Sequence, residues 1–294
     1  MHNDNMIEIA SDGLTAIINL FGAELSHLRD REGRELMTNA DPAYWSGRAP
    51  LLFPIVGRLA DDHYTLDGAD FAMPQHGFAR REMFKLVEHA ADRASFRLSD
   101  NARTRSVYPF AFTLDAAYML AGKTLTTEIT VTNSGDAPMP ASFGFHPAFA
   151  WPLPFGHARA EHRIRFDKPE PGELATITPE GWIAPEGRPS PLQDGRTLAL
   201  DDTLFQHGAL VWDSLESRSV RYDAGEGPAL EIDFAGLPKL GIWTRPGAHF
   251  VCVEPWHGIA DPVGFEGEIW DKPGILRFAP GEARSFSMEV TLTD

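Results

Sequence analysis

The sequence predicts an all-β protein, built as a large antiparallel β-sandwich. Nine short segments have the composition and alternation of strands, whereas helical periodicity is poor almost everywhere. Turn signals separate these segments, such as the Asp-Gly pair at 67–68 and the Ser-Gly pair at 134–135. Because no ten-residue helical pattern lies between the segments, a sandwich is favoured over an α/β fold.

The predicted strands are short, and their residues are apolar or alternate between apolar and polar. In chain order they are 14–20, 94–98, 112–120, 125–132, 219–222, 229–234, 240–244, 250–253 and 285–292. The last alternates most clearly, because Phe286, Met288, Val290 and Leu292 lie at every second position. This period of two is that of a half-buried strand.

Length and composition are those of a globular chain. The 294 residues are 43% hydrophobic and 11% aromatic, which is enough to bury a sizeable core. No internal repeat, low-complexity tract or linker interrupts the chain, so we expect residues 1–294 to form a single domain. Cys252 is the only cysteine, which excludes an intrachain disulfide and fits a reducing cytoplasm.

Charge and hydropathy argue against several classes of function. The formal charge of −16 argues against non-specific binding to nucleic acid or to an anionic membrane surface. There is no run of about 18 apolar residues, as a membrane span requires. The first six residues lack the basic and apolar regions of a signal peptide. We therefore expect a cytoplasmic monomer or homodimer that binds neither nucleic acid nor membrane.

Arg58 ends a stiff apolar segment. Residues 48–58 form an apolar run interrupted by prolines, and Arg58 follows Gly57 at its end. A cation delivered from a buried segment is suited to hold a ligand. A structural salt bridge is the alternative interpretation.

His76 and Arg80 lie in a second unusual segment, 73–81. Gly77 allows close backbone approach beside His76, and Arg80 follows four residues after the histidine. The eleven histidines are dispersed, with no second histidine at helical spacing and no cysteine pair. We therefore expect no metal site.

His146 lies among aromatic residues and prolines, after the predicted strand 125–132. The prolines at 147 and 152 prevent regular pairing, which predicts that His146 lies where a strand ends in a loop. An imidazole on a rigid support, with an aromatic wall and one open side, suits proton transfer near neutral pH. A core histidine bonded to a backbone carbonyl is the alternative.

Glu254 directly follows the predicted strand 250–253 and precedes Pro255 and Trp256. A poorly solvated carboxylate there has a raised pKa unless it is paired, as a general base near neutral pH requires. A structural ion pair is the alternative.

Residues 155–200 have few regular patterns, and we expect long loops with short strands and no chemistry there.

Five segments together resemble the aldose 1-epimerases, the galactose mutarotase-like proteins, and most closely their LacX-like and hexose-6-phosphate-epimerase-like branches. The segments occur in one order and span nearly the whole chain: 53–59 (FPIVGRL), 75–80 (QHGFAR), 144–149 (GFHPAF), 242–244 (IWT) and 252–256 (CVEPW). Each is a weak pattern alone. The five in this order are a strong one.

The resemblance implies a β-supersandwich with a concave sugar-binding face. It implies cofactor-free interconversion of the α and β anomers of a hexose, so the partner is a small-molecule sugar. Carried over by position, Glu254 would be the general base and His146 the general acid. The expected substrate-binding residues are Arg58, His76, Arg80, Asp202 and Trp243.

Two positions depart from the family pattern. Gly57 stands where an asparagine often precedes the arginine, and 206–208 (QHG) stands where the LacX-like branch often has an acidic residue.

The reaction itself removes a proton from the anomeric hydroxyl and delivers one to the ring oxygen. One carboxylate and one imidazolium therefore suffice.

Three functions stay open at this point. The first is a mutarotase acting on a free aldohexose, and the second is a hexose-6-phosphate 1-epimerase with an anion-binding corner of Arg80, Arg81 and Lys85. The third is a non-catalytic carbohydrate-binding protein on the same fold. The presence of both His146 and Glu254 favours an enzyme. A glycosidase is disfavoured because it needs two carboxylates.

Overall fold

Alternating apolar and polar residues build the long central strands of the protein. In the computed structural model, which describes residues 5–294, the strand Ala283–Thr293 buries Phe286, Met288, Val290 and Leu292. The polar residues between them are exposed or half-buried. One face of this strand therefore belongs to the core and the other faces outward, as the sequence predicts.

Within residues 5–294 the chain forms twenty-four strands and one short α-helix. The strands in chain order are β1 Met6–Ala10, β2 Leu14–Asn19, β3 Glu24–Asp30, β4 Leu51–Leu52, β5 His63–Leu66, β6 Ala69–Ala72, β7 Lys85–His89, β8 Arg93–Ser99, β9 Phe112–Ala121, β10 Thr124–Asn133, β11 Met139–Ala141, β12 Gly144–Phe145, β13 Ala148–Ala150, β14 Arg163–Phe166, β15 Glu173–Leu174, β16 Arg188–Pro189, β17 Thr197–Ala199, β18 Leu210–Trp212, β19 Ser219–Asp223, β20 Ala229–Asp233, β21 Lys239–Trp243, β22 Phe250–Trp256, β23 Leu276–Phe278 and β24 Ala283–Thr293. Helix α1 is Ala102–Val107, and the 3-10 turns are Ala60–Asp62, Ala79–Arg81, Arg159–Glu161, Asp202–Phe205 and Ile269–Asp271.

Two large sheets organise these strands. The larger has nine strands in the order β17-β14-β19-β20-β24-β10-β9-β8-β7, and the other follows β18-β21-β22-β12-β4, with β13 also paired to β22. Every pairing in both is antiparallel. A continuous apolar cluster extends from Ile9 to Leu292 and includes residues of both sheets. The all-β prediction is confirmed.

All nine predicted strands are present, and the strands that the sequence did not reveal are short or poorly alternating. β7 is the edge strand of the larger sheet and all its residues are exposed, so it has no apolar face to detect. The region 155–200 contributes β14 and β17 to that sheet and forms the small hairpin β15-β16. These strands have two to four residues each, so the region consists of short strands joined by loops, as predicted. None of the described helices is long and apolar enough to span a membrane.

Strand β22 is longer than predicted, since it continues through Glu254 and Pro255 to Trp256. On one side it pairs with β21, and on the other it pairs with β12 and then β13. The N–H groups of Val253 and His257 point to this second side and donate to carbonyl oxygens there. Pro255 lies between them, on the same side of β22. Because β12 and β13 are interrupted there, the absence of an N–H group on the proline costs no hydrogen bond between strands.

A buried ion pair supports the wall on which Arg58 lies. The Lys272 ammonium donates to Asp261 Oδ1 at 2.6 Å and to the Ile259 carbonyl at 2.7 Å. The other carboxylate oxygen of Asp261 accepts the Ala60 N–H at 2.9 Å, and the Asp261 N–H donates to the Arg58 carbonyl at 2.9 Å. This pair therefore joins 58–60 to 259–261.

We expect Lys272→Met to destabilise the fold by about 3–5 kcal/mol, because it leaves the Asp261 carboxylate buried without its counter-ion. The measurement is the free energy of unfolding in urea. The double variant Asp261→Asn/Lys272→Met should recover part of the loss. Arg93→Met, which breaks an exposed ion pair with Glu88, is the control and should leave the midpoint unchanged. A midpoint for Lys272→Met equal to that of the control would contradict this account.

Candidate active site

An open cleft of about 980 Å3 lies over strands β21 and β22. Its volume is at the upper end of the range for small-molecule sites. The lining residues come from six parts of the chain: Trp45; Gly57, Arg58, Gln75, His76 and Arg80; His146; the stretch 176–181; the stretch 206–209 with Val211; and Trp243, Arg245, Glu254, Trp256, Ile259 and Ala260.

The floor of the cleft is formed by alternate residues of β22. Because side chains alternate along a strand, Cys252, Glu254 and Trp256 share one face. Gly241 of β21 pairs with Glu254, and a side chain at Gly241 would lie 2.5 Å from the Trp256 ring. The glycine therefore lets the Trp256 indole lie flat beside the carboxylate.

His146 and Glu254 meet on this floor. His146 lies between β12 and β13, both of which pair with β22, so its ring reaches the neighbouring strand directly. The Nε2 of His146 is 3.2 Å from Oε2 of Glu254. Both side chains are buried, with 7% and 2% of their residues exposed. The Nδ1 of His146 is buried and has no hydrogen-bond partner among the described residues.

Burial moves the pKa values of these two groups in opposite directions. Desolvation raises the pKa of the Glu254 carboxyl well above its ordinary value. Desolvation lowers the pKa of His146 to about 3, and the charge of Arg80 acts in the same direction. These opposite shifts favour the uncharged forms of both groups, a carboxylic acid beside a neutral imidazole. Together the two groups hold one proton and titrate as a unit.

His76 is held on the cleft wall by a reciprocal bond to Gly57. The Gly57 N–H donates to His76 Nδ1 at 3.1 Å, and the His76 N–H donates to the Gly57 carbonyl at 2.9 Å. Nδ1 is thus an acceptor, which leaves the proton on Nε2 as a donor. Burial lowers the pKa of His76 well below its ordinary value, so the ring is neutral. Its positive φ of 65° is a strained conformation for a non-glycine residue, of the kind found at functional sites.

Gly57 explains one departure from the family pattern. Its φ is 79°, and a side chain at this position would lie 2.4 Å from the Ala260 nitrogen. An asparagine therefore does not fit here without moving the 259–261 segment. The adjacent Arg58 lines the cleft, but its guanidinium is bound to Asp62 at 3.0 Å and to the Glu180 carbonyl at 3.0 Å. Arg58 therefore lies on the cleft wall and also forms a salt bridge with Asp62.

Arg80 and Trp243 also line the cleft, as the sequence predicts. One terminal nitrogen of Arg80 donates to the Gln75 carbonyl at 2.7 Å, while its Nε is buried and has no partner among the described residues. Burial lowers the pKa of Arg80 to about 10, so it stays charged at neutral pH. The ring of Trp243 meets that of His146 edge-on, with centroids 6.0 Å apart.

Asp202 is not among the residues that line the cleft. Its carboxylate accepts from the Arg159 guanidinium at 2.7 Å and from the Gly247 N–H, in the turn at 245–248, at 3.2 Å. Arg159 in turn lies 3.4 Å from the centre of the Trp151 ring. The structure therefore places Asp202 in a network with Arg159 and Gly247, outside the cleft lining, and its sugar contact stays a prediction.

Three parts of the cleft were missed by sequence reasoning. Trp45 lies over His146, and Arg245 follows Trp243 at the rim. The stretch 176–181, inside the region read as loops without chemistry, forms one wall. Its position depends on tertiary contacts, such as the bond from the Trp182 indole to the Leu59 carbonyl. No local pattern of the sequence indicates such contacts.

One cluster of three side chains in the floor of the cleft has the residue types that bind metal ions. Ligand atoms of His146, Cys252 and Glu254 all lie within 4.8 Å of one another, a set that could accept a thiophilic divalent cation. Burial raises the pKa values of both the thiol and the carboxyl, so both ligands resist deprotonation. His146 Nδ1 also lacks the hydrogen-bond partner that a ligating histidine ordinarily has. These features disfavour a resident metal.

Comparison with known proteins agrees with this architecture. The profile of a family described as Aldose 1-epimerase matches residues 5–277. Protein LacX, chromosomal, of Lactococcus lactis subsp. lactis is 33% identical over 295 aligned positions, which cover 97% of this chain and 99% of that protein.

Solved structures give the same result. A galactose mutarotase related enzyme from Lactobacillus acidophilus superimposes with a TM-score of 0.90 at 29% identity, covering 98% of this chain and 97% of that one. A galactose mutarotase-like protein from Lactobacillus casei ATCC 334 has a TM-score of 0.91 at 28% identity, with coverage of 98% and 100%. The fold, the sequence match and its extent agree, and the chain belongs to the aldose 1-epimerase family.

Proposed function

We propose that this protein interconverts the α and β anomers of a hexose, with Glu254 as general base and His146 as general acid. The observation that carries the proposal is the contact between these two buried groups on the floor of an open cleft. A pure binding site has no need of an imidazole and a carboxyl whose pKa values burial has moved in opposite directions. Family membership supports an isomerase-type reaction.

The reaction needs two proton transfers and no redox step. Glu254 takes the proton of the anomeric hydroxyl while His146 delivers a proton to the ring oxygen, and the C1–O5 bond breaks to give an open-chain aldehyde. Rotation about C1–C2 presents the other face of the aldehyde. The O5 hydroxyl then attacks C1 while His146 recovers its proton from O5 and Glu254 returns its proton to O1. The pair ends in the state in which it began.

One shared proton is sufficient for this cycle. In the resting pair the proton is on Glu254, so it has to move to His146 before Glu254 can act as base. The 3.2 Å contact between Nε2 and Oε2 provides a direct path for that transfer. The total charge of the pair stays the same throughout, which avoids the cost of placing a net charge on the dry floor.

The cleft wall supplies the contacts that hold a sugar. The proton on His76 Nε2 makes this ring a donor to a sugar oxygen. Trp243 offers an aromatic surface, which suits the apolar C–H face of a pyranose. Arg58 and Arg80 add donors on the same wall.

A hexose 6-phosphate is the second candidate substrate, and two cleft arginines favour it. Arg80 and Arg245 line the cleft, and neither has a carboxylate within ion-pair distance in the described chain. Guanidinium groups without a counter-ion suit a phosphate. Arg81 and Lys85 are not among the lining residues, so Arg80 and Arg245 are the arginines that support this alternative.

The decisive activity test compares wild type with Glu254→Gln and His146→Asn. We expect wild type to accelerate the mutarotation of freshly dissolved α-glucose or α-galactose in a polarimeter. Each variant should lose about 10²–10⁴-fold in kcat/KM, because each removes one general acid–base group. Glu170→Gln is the control, since Glu170 is a buried carboxylate outside the cleft. This control should stay active.

The outcomes of that test are distinct. An inactive wild type on free sugars, followed by anomer exchange of a 6-phosphate detected by NMR, would assign the phosphorylated substrate. Arg245→Gln should then raise KM for the phosphate ester, because it removes a guanidinium from the cleft. Correctly folded wild type that accelerates neither class would contradict the enzymatic proposal and leave a carbohydrate-binding protein.

The pH dependence follows from the shared proton. We expect kcat/KM not to fall as the pH drops through the ordinary imidazole value of 6.5, because burial lowers the pKa of His146 to about 3. Activity should fall only on the alkaline side, where the pair loses its one proton through the raised pKa of Glu254. The measurement is the anomer-exchange rate, corrected for the uncatalysed rate, between about pH 5 and about pH 8. Activity that falls as the pH drops through about 6.5 would contradict an imidazole whose pKa burial has lowered.

A further inference from the structure

Trp45 lies over the imidazole of His146. It belongs to the loop between β3 and β4, and its ring centroid is 4.9 Å from that of His146, with the two planes inclined by 28°. This is a stacked arrangement. The edge of Trp243 meets Trp45 at 5.6 Å and 84°, and Phe250 lies 5.6 Å away. The indole is therefore fixed from two further sides.

The loop that carries Trp45 is closed at its neck on the strand beside His146. The Thr38 N–H donates to the Ala148 carbonyl at 3.0 Å, and the Ala148 N–H donates to the Arg48 carbonyl at 2.8 Å. The Arg48 guanidinium crosses the neck and donates to the Thr38 carbonyl at 2.7 Å. Residues 38–48 thus form an Ω-type loop whose two ends are bound to one residue, two positions after His146.

Two further contacts hold the indole within this loop. A side chain at Gly47 would lie 2.4 Å from an atom of the Trp45 ring, so a glycine there leaves space for the indole. The carboxylate of Glu24 accepts the N–H groups of Arg48 and Ala49 at 2.7 and 2.9 Å, which fixes the end of the loop. The position of Trp45 is thus set by the loop itself as well as by its neighbours.

His146 lacks the usual means of orientation for a reactive histidine. In such residues a hydrogen bond at the second ring nitrogen ordinarily fixes the ring and its tautomer. Here Nδ1 is buried without a partner in the described chain. The ring is therefore held by its contact with Glu254, by the edge-on rings of His76 and Trp243, and by Trp45, which stacks on its face.

We propose that Trp45 is a positioning residue, which holds the His146 imidazole by stacking in the orientation that aims Nε2 at Glu254 and at the sugar. This inference rests on the proposed function for its kinetic consequence. Its structural consequence, a change in the environment of the His146 ring, is independent of any activity. The two consequences can therefore be measured separately.

The kinetic test compares Trp45→Ala with Trp45→Phe. We expect Trp45→Ala to lower kcat by about 10- to 100-fold, because a reacting group displaced by about 1 Å costs up to about that much. KM should change less than kcat, since His76 is held by its own bonds to Gly57 and keeps its proposed sugar contact. Trp45→Phe keeps a stacking ring and should recover most of kcat. Trp270→Ala, at a half-buried tryptophan outside the cleft, is the matched control.

The second readout is the ring-proton NMR signal of His146 in protein labelled at histidine. Wild type should show this signal shifted upfield by the ring current of the indole, and its assignment comes from its absence in His146→Asn. In Trp45→Ala the signal should lose that shift, and the signal should begin to titrate closer to the ordinary imidazole range as water reaches the ring. Arg48→Met, which opens the neck without touching the indole, should move the signal in the same direction.

An unchanged His146 signal in Trp45→Ala would overturn the proposal. So would an unchanged kcat in both Trp45→Ala and Arg48→Met. If Trp45→Ala fails to fold, Trp45→Phe and Arg48→Met decide the matter with the same two measurements. If folded wild type acts on no sugar, the proposed function fails, and the NMR signal alone decides whether Trp45 positions the ring.

Discussion

The contact between His146 and Glu254 is the constraint on which the rest of the site depends. A carboxyl and an imidazole are placed 3.2 Å apart where water scarcely reaches either of them. Burial disfavours a separate charge on either group, so the uncharged forms of both are favoured. This arrangement costs stability, as functional sites commonly do, and it leaves the pair ready to exchange protons with a neutral substrate.

The backbone around the pair shows how the fold accommodates it. β12 and β13 are interrupted at His146 so that its ring reaches β22, and Pro255 lies on the side of β22 that faces the interruption. Gly241 on the neighbouring strand leaves room for Trp256 beside Glu254. On the wall, His76 and Gly57 fix each other by two hydrogen bonds. Stiff backbone and close packing therefore fix the polar side chains in place of long hydrogen-bonded networks.

The sequence predicted the fold better than it predicted the limits of the site. Alternation revealed strands such as β10 and β24, because one face of each is buried and the other is not. His146 and Glu254 stood out as polar residues in stiff apolar segments. The resemblance carried Asp202 into the site, but the structure binds it to Arg159. Trp45 was missed because its role depends on a loop closed through Ala148, a contact distant in sequence.

The most direct test of the account is the protonation state of Glu254 in the resting protein. Infrared difference spectroscopy of protein labelled with 13C at glutamate, with Glu254→Gln as reference, isolates the signal of this carboxyl. The account predicts a carbonyl-stretch band of a protonated carboxylic acid at neutral pH, which disappears as the pH is raised. A spectrum that contains only ionised carboxylate bands at neutral pH would contradict the claim that burial keeps the proton on Glu254.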